Sequence, residues 1–173
     1  MSDYAKSFSS FELTADQSNV LLTDFTRLIQ DTDLTHCSRV ADIITEYKKV
    51  SGIYFWVMRH DDHLFRIYIG KTKCIFNRMR NYFGEFQPHS PNDFKLRIFR
   101  TFLAEKIPDA TLDLYFLQKT AFELTQAENQ ALATFNPLLN RRQHVTADAR
   151  TALRDAFSTY YRSAFEQLLK NGS

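Results

Sequence analysis

Residues 52–72 read GIYFWVMRHDDHLFRIYIGKT, two apolar runs on either side of the charged tetrapeptide HDDH. Both runs are rich in isoleucine, tyrosine, phenylalanine, tryptophan and valine, the residue types that favour strands. We therefore expect residues 53–58 and 64–69 to pair as a β-hairpin. The polar residues from His60 to His63 are interpreted as a solvated turn rather than as a metal site, because such residues are common in turns.

Patterns typical of helices flank this hairpin. Thr14 followed by Gln17 fits a capping box at the start of the first helix. The apolar spacing predicts helices over residues 14–30, 35–48, 73–83, 93–105, 120–135 and 146–170, and one further strand over residues 111–117. A small three-stranded, mainly antiparallel sheet cannot bury both of its faces alone. The order of elements therefore predicts an α+β fold in which helices cover the sheet.

The composition limits the class of protein. A chain of 173 residues suits one domain with additional helices. No apolar run reaches the ~20 residues that a membrane span requires, so no membrane partner is expected. The first residues lack the pattern of a secretory signal, and Cys37 and Cys74 have no disulfide or metal-binding spacing. These features predict a cytoplasmic location.

Charge is unevenly distributed along the chain. Residues 51–106 carry ten lysines and arginines against five acidic residues, whereas residues 1–50 carry five against eight. A basic segment favours a polyanion such as nucleic acid. The alternative is an ordinary solvated surface, which charge alone does not exclude.

Several polar residues within and just after the hairpin are candidates for a functional site. Tyr54 and Tyr68 stand at its two far ends, and Lys71 comes directly after the second run. Arg78 and Tyr82 are four residues apart and share one face of the predicted helix. Each has an ordinary structural interpretation, since tyrosines pack in strands and arginines lie on helix surfaces.

In combination these residues resemble the GIY-YIG nucleases. Both naming triplets are intact, Gly52-Ile53-Tyr54 and Tyr68-Ile69-Gly70, with thirteen residues between the tyrosines. The remaining motif positions follow in the family's order, namely Lys71, Arg78, Tyr82, Glu128 and Asn140. Lysine after the second triplet and tyrosine at position 82 are closest to the nuclease subunit of bacterial nucleotide-excision repair. The resemblance implies a GIY-YIG nuclease domain over residues 51–141, between an N-terminal helical extension (1–50) and a C-terminal helix (142–173).

The resemblance implies a DNA endonuclease that hydrolyses phosphodiester bonds with one Mg²⁺, for which Mn²⁺ is expected to substitute. Glu128 would bind the metal, and Arg78 would neutralise charge on the phosphate. A motif tyrosine would be the general base, and Tyr68 is favoured because Lys71 is near it in sequence; Tyr54 would then orient water or phosphate. The full set of expected catalytic residues is Tyr54, Tyr68, Lys71, Arg78, Tyr82, Glu128 and Asn140, with Tyr82 and Asn140 in supporting roles.

The expected partner is DNA. Phosphate contacts are predicted for Lys71, Lys73, Arg80, Arg141 and Arg142. The terminal helices are candidate contacts for a protein partner or for a second copy of the chain. Two alternatives remain: a catalytically silent nucleic-acid-binding module, and the same nuclease chemistry used by a restriction enzyme or an antibacterial toxin.

Overall fold

The computed structural model describes residues 8–30, 45–83 and 103–140, with Leu96, Phe99, Arg100 and Ser163, and only the backbone of residues 80–83. Its elements are a 3₁₀ turn (Ser9–Phe11), α1 (Ala15–Asp24), β1 (Thr26–Ile29), β2 (Gly52–His60), β3 (His63–Thr72), α2 (Ile75–Phe83), β4 (Thr111–Gln118), α3 (Leu124–Phe135) and a second 3₁₀ turn (Leu138–Asn140). Most of the helices predicted over residues 35–48 and 146–170, and much of that over 93–105, lies outside the described residues. No helix in the described part is both long and apolar enough to cross a membrane.

The sheet has four strands in the order β1-β4-β2-β3, and each neighbouring pair is antiparallel. The predicted α+β class and antiparallel sheet are confirmed, but the prediction of three strands is wrong. The additional strand, β1, lies within residues 14–30, which the apolar spacing assigned entirely to a helix. Phe25 ends α1 in an extended conformation, with φ −107° and ψ 146°, and the chain then pairs with β4.

The N-terminal part of the helix predicted over residues 14–30 is confirmed and forms α1. The side chain of Thr14 accepts a hydrogen bond from the backbone N–H of Gln17 at 3.2 Å. The side chain of Gln17 accepts one from the backbone N–H of Thr14 at 3.1 Å. This capping box fixes the start of α1. Gln17 also donates to the carbonyl of Thr134 at 2.8 Å, which joins α1 to α3.

Both faces of the sheet are covered. One face, called the first face here, carries Tyr54, Trp56 and Met58 of β2 and packs against α2, Phe99 and Leu103. The second face carries Ile53, Phe55 and Val57 and packs against α1 and α3. Because β2 is central and buried on both sides, its sequence is a nearly continuous apolar run rather than an alternating one.

The pairing of β2 with β3 is interrupted by a β-bulge. Trp56 pairs with Tyr68, but the next residue, Val57, pairs with Arg66, so Ile67 is an extra residue in β3. A bulge leaves two consecutive side chains on the same side of a sheet. Ile67 and Tyr68 accordingly both belong to the core of the first face. The bulge therefore places Tyr68 on the same face as Tyr54.

Candidate active site at the end of the edge strand

The two motif tyrosines form a buried pair on the first face. Their side chains are 1% and 5% exposed, and their ring centroids are 6.1 Å apart. Arg78, which α2 places above them, donates a hydrogen bond from Nε to the Tyr54 hydroxyl at 3.0 Å. Its guanidinium carbon also lies 5.6 Å from the centre of the Tyr54 ring, a cation–π distance. The structure thus brings together three of the residues that the motif predicted.

The glycine of the second triplet has a steric role in this pair. Gly70 lies directly opposite Tyr54 in the β2–β3 ladder. The Tyr54 ring crosses over it, so that a Cβ at position 70 would clash with the Tyr54 hydroxyl. Glycine is therefore required for Tyr54 to reach Arg78. Gly52 is similarly constrained, because a Cβ there would clash with the Phe116 ring and with the carbonyl of Leu117.

Burial sets the protonation state of Tyr68. Loss of solvent raises the pKa of the Tyr68 hydroxyl well above its usual value, and the neighbouring Tyr54 raises it further. The positive charge of Arg78 acts in the opposite direction, but it is the smaller effect. A hydrogen bond between the two tyrosines also raises the Tyr68 pKa. Tyr68 therefore retains its proton at neutral pH.

Lys71 and Glu128 form a second cluster at the same end of the sheet. Lys71 Nζ lies 2.8 Å from Glu128 Oε2 and donates to Thr125 Oγ1 at 3.3 Å. Thr125 and Glu128 are three residues apart on α3, so they lie on one face of the helix. The Lys71 and Glu128 side chains are 39% and 21% exposed, so solvent and ligands can reach both groups.

Asn140 connects these clusters through the edge strand. Its Oδ1 accepts from the backbone N–H of Ile69 at 2.8 Å, and its Nδ2 donates to the carbonyl of Ile69 at 2.7 Å. The side-chain amide thus pairs with β3 as a neighbouring strand would. Ile69 lies between Tyr68 and Gly70, and β3 is at the sheet edge. Asn140 therefore holds the strand segment that carries the second triplet.

The two clusters lie on either side of β3. Tyr54, Tyr68 and Arg78 belong to the first face, whereas Lys71 reaches α3 on the second. The negative charge of Glu128 contributes to the raised pKa of Tyr68, so the two clusters interact electrostatically. The side chains of Tyr82 and Arg80, and all of Arg141 and Arg142, lie outside the described residues.

The candidate site offers a single carboxylate, which suits a metal ion that takes few of its ligands from the protein. No group of three or more histidine, cysteine or acidic side chains that could hold a metal ion occurs among the described residues. Glu128 is a single, partly exposed carboxylate whose described partner is the ammonium of Lys71. Mg²⁺ commonly binds through one or two carboxylates, several waters and substrate phosphates. Glu128 fits that pattern, in which waters and phosphate oxygens would complete the coordination.

Three lysines for which the sequence predicted no role lie at this end of the sheet, together with Lys71 and Lys73. Gly52 pairs with both Thr72 and Gln118, so the ends of three strands are adjacent here. The residues next to those ends include five lysines, which we call the basic rim: Lys48, Lys49, Lys71, Lys73 and Lys119. Two carboxylates in this region are already engaged, Glu128 with Lys71 and Glu123 with Thr120. Strand pairing brings these lysines together from distant parts of the chain, and no local sequence signal marks that.

Comparison of the chain with protein-family models, with curated proteins and with solved structures finds no match.

Proposed function

We propose that this protein is a divalent-metal-dependent DNA endonuclease of the GIY-YIG type. The observation that carries the proposal is the cluster of Tyr54, Tyr68 and Arg78, three motif residues that are 24 or fewer positions apart in sequence and that meet on one face of the sheet. A single strand aromatic would need no arginine bound to its hydroxyl. The adjacent Lys71–Glu128 pair supplies the acidic residue that the motif requires.

Arg78 acts on the phosphate in this proposal. Its planar guanidinium offers several N–H donors, of which Nε is directed at Tyr54. The planar shape of this group matches the non-bridging oxygens of a phosphodiester, and its positive charge would stabilise the negative charge that develops in the transition state. The hydrogen bond to Tyr54 fixes the orientation of the guanidinium before DNA binds.

Tyr54 is the general base that the geometry favours over Tyr68. Burial raises the pKa of Tyr68, so this hydroxyl remains a hydrogen-bond donor. Tyr54 instead accepts a hydrogen bond from the Arg78 guanidinium, which places its hydroxyl beside the group that would bind the phosphate. Tyr68 then orients Tyr54. Replacing Tyr54 with phenylalanine should lower the cleavage rate by about 10²–10⁴-fold, the usual contribution of a general base, and replacing Tyr68 should lower it less.

Glu128 is the residue that would hold Mg²⁺. When bound, the metal supplies Lewis-acid polarisation of the scissile phosphate. Lys71 pairs with Glu128 in the metal-free protein, and a cation held by the carboxylate would release the ammonium toward the DNA backbone. Thr125, which also accepts from Lys71, gives the released ammonium a nearby partner.

The proposal is tested by incubating plasmid and oligonucleotide DNA with the protein in Mg²⁺, in Mn²⁺ and in EDTA. Glu128→Gln keeps the size of the side chain but removes its charge, and it should lower metal-dependent cleavage by roughly 100-fold or more. Asp109→Asn is the matched control, because this exposed carboxylate precedes β4 at the opposite end of the sheet. Equal cleavage by Glu128→Gln and the wild type would contradict the assignment of Glu128. DNA binding without cleavage under any condition would favour a nucleic-acid-binding module.

A further inference from the structure

Phe122 is fully exposed, although it lies next to the candidate active site. Among the described residues, large apolar side chains are exposed at two positions: Leu22 on α1 at 66%, and Phe122 at 100%. Phe122 belongs to the turn that connects β4 to α3. An isolated surface leucine is ordinary, but an aromatic ring with no packing contact on a turn beside a polar site suggests a ligand.

The turn that carries Phe122 is fixed at both ends. Lys119 donates from its backbone N–H to the carbonyl of Ser51 at 3.0 Å, and the Ser51 hydroxyl donates to the Lys119 carbonyl at 2.5 Å. Glu123 Oε2 accepts from the backbone N–H and the hydroxyl of Thr120 at 3.0 and 2.6 Å. These bonds lower the pKa of the Glu123 carboxyl, so it stays ionised and the turn stays closed at neutral pH. Phe122 is therefore presented by a rigid support.

The position of Phe122 relates it to the second cluster of the site. Phe122 lies three residues before Thr125, and Thr125 lies three residues before Glu128, so each successive pair has the spacing of neighbours on a helix surface. Glu123 is already in a right-handed helical conformation, with φ −84° and ψ −16°, so this spacing extends into the turn. Lys71, bound to both Thr125 and Glu128, marks where the phosphate backbone would approach. A base attached to that backbone would lie near Phe122.

We propose that Phe122 stacks on an unpaired nucleobase adjacent to the phosphate that is cut, which makes single-stranded or junction DNA the preferred substrate. The inference rests on the proposed nuclease function. Proteins that bind single strands combine a cationic groove with aromatic side chains on which bases stack. The basic rim supplies the cations here, and Lys119 lies three residues before Phe122. In a fully paired duplex the bases are already stacked and offer Phe122 no free face.

The charge of the surroundings argues for DNA rather than for a protein partner. Hydrophobic protein interfaces are depleted in lysine at their centres. Phe122 instead lies three residues after Lys119, with no second large exposed apolar residue in its turn. Base stacking needs one aromatic face and a nearby cation, which is the arrangement found.

The test measures DNA binding in EDTA, so that no strand is cut. Fluorescence anisotropy would give the dissociation constants of a labelled single strand and of the same strand in a duplex. Phe122→Ala should weaken single-strand binding by about tenfold, within the range known for base–aromatic stacking, and change duplex binding by less than about twofold. Phe122→Trp should retain single-strand binding, and its new indole fluorescence should be quenched by the bases. Leu22→Ala is the control, as another exposed apolar residue on a different element.

The possible outcomes separate the two proposals. Wild-type binding and cleavage with no effect of Phe122→Ala would overturn the stacking role and leave the nuclease function intact. Equal loss for single strands and duplex would also overturn it, because stacking discriminates between them. A wild-type protein that neither binds nor cuts DNA would overturn the proposed function and the stacking role together. A change in the sedimenting mass of the free protein on Phe122→Ala would assign Phe122 to contact between copies of the chain instead.

Discussion

At the scale of single residues, the site depends on what a side chain must avoid as much as on what it contacts. Tyr54 reaches Arg78 only by lying across the backbone at Gly70. The glycine in the second triplet is therefore explained by the tyrosine in the first. This relation joins two parts of the motif that are sixteen residues apart in sequence but directly opposite in the β-ladder.

We expect Gly70→Ala to displace the Tyr54 ring. The unfolding free energy should fall by about 1–3 kcal/mol, as it does for overpacking elsewhere, and DNA cleavage should fall with it. Tyr54→Ala removes the ring whose hydroxyl and Cζ the new Cβ would meet, so the loss of stability in the double variant should be smaller than the sum of the two single losses. Urea unfolding of the four proteins in a double-mutant cycle measures this coupling. Additive losses would show that Gly70 and Tyr54 do not interact as described.

The tyrosine pair illustrates what can be read from the sequence at this scale. The motif selected Tyr54, Tyr68 and Arg78 by order and spacing, and the structure places them together. The protonation of Tyr68 was not predictable, because its pKa depends on burial, which only the packed first face establishes. The exposure of Phe122 could not be predicted from the sequence either, since an apolar residue beside a helix is usually buried in the core.

At the scale of elements, β3 is an edge strand that other parts of the chain protect. Arg66 donates to the backbone carbonyls of Ser10 and Glu12, each at 2.6 Å, and Leu13 donates from its backbone to Leu64 at 2.8 Å. At the other end of the strand, Asn140 supplies the two hydrogen bonds to Ile69. Unprotected edges pair with other chains, so this covering limits aggregation as well as fixing the site.

Asn140→Ala should loosen the end of β3. Loss of two hydrogen bonds to a partly buried backbone should lower the unfolding free energy by about 1–3 kcal/mol. Hydrogen exchange at the Ile69 amide, followed by NMR, should become faster, because this N–H loses its acceptor. Asn77→Ala, an exposed asparagine on α2, is the control and should leave both quantities unchanged. An unaltered exchange rate at Ile69 would contradict the positioning role of Asn140.

The sequence predicted some ends of helices and strands correctly and missed others, and the reason differs in each case. The capping box at Thr14 and Gln17 marked the start of α1, because a cap is a local interaction. The end of α1 was missed since Phe25, Leu28 and Ile29 fit a helical period as well as a strand. Only pairing with β4, which is far away in sequence, favours the extended conformation. Both hairpin strands were longer than predicted, because burial on both faces removes the alternation that would mark their ends.

At the scale of the whole molecule, the two ends of the sheet differ in character. The basic rim surrounds the end where β2 begins and where β3 and β4 end. The opposite end, at the hairpin tip, carries Asp61 and Asp62 with Glu12 nearby. Repulsion from the tip and attraction to the rim would orient an approaching phosphate backbone toward the candidate site.

The hairpin tip should make stability depend on pH. His63 Nδ1 lies 2.6 Å from Glu12 Oε1, and this hydrogen bond, together with the charge of Glu12, raises the pKa of His63 above its usual value of 6.5. The charges of Asp61 and Asp62 act in the same direction, and desolvation opposes them. Because the folded-state pKa is raised, the stabilisation is fully present below about pH 6.5 and is lost as pH rises through the folded value. Glu12→Gln should flatten this part of the profile of melting temperature against pH, and an unchanged slope in the variant would contradict the role of the pair.

The bulge at Ile67 determines which numbers of intervening residues place the two tyrosines on one side of the sheet. Across a tight two-residue tip, an uninterrupted ladder would place Tyr54 opposite Ile69 and would turn Tyr68 to the other side of the sheet. The single extra residue shifts the parity of every later position in β3, so that an odd number of intervening residues brings both tyrosines to one side. Deleting Ile67 would remove the extra residue and the bulge together, so Tyr68 would still pair with Trp56 and would stay on the same side of the sheet as Tyr54. Whether both tyrosines face the same side therefore depends on two things: whether the number of residues between them is odd or even, and how many bulges the hairpin contains. The length of the spacing alone does not decide it.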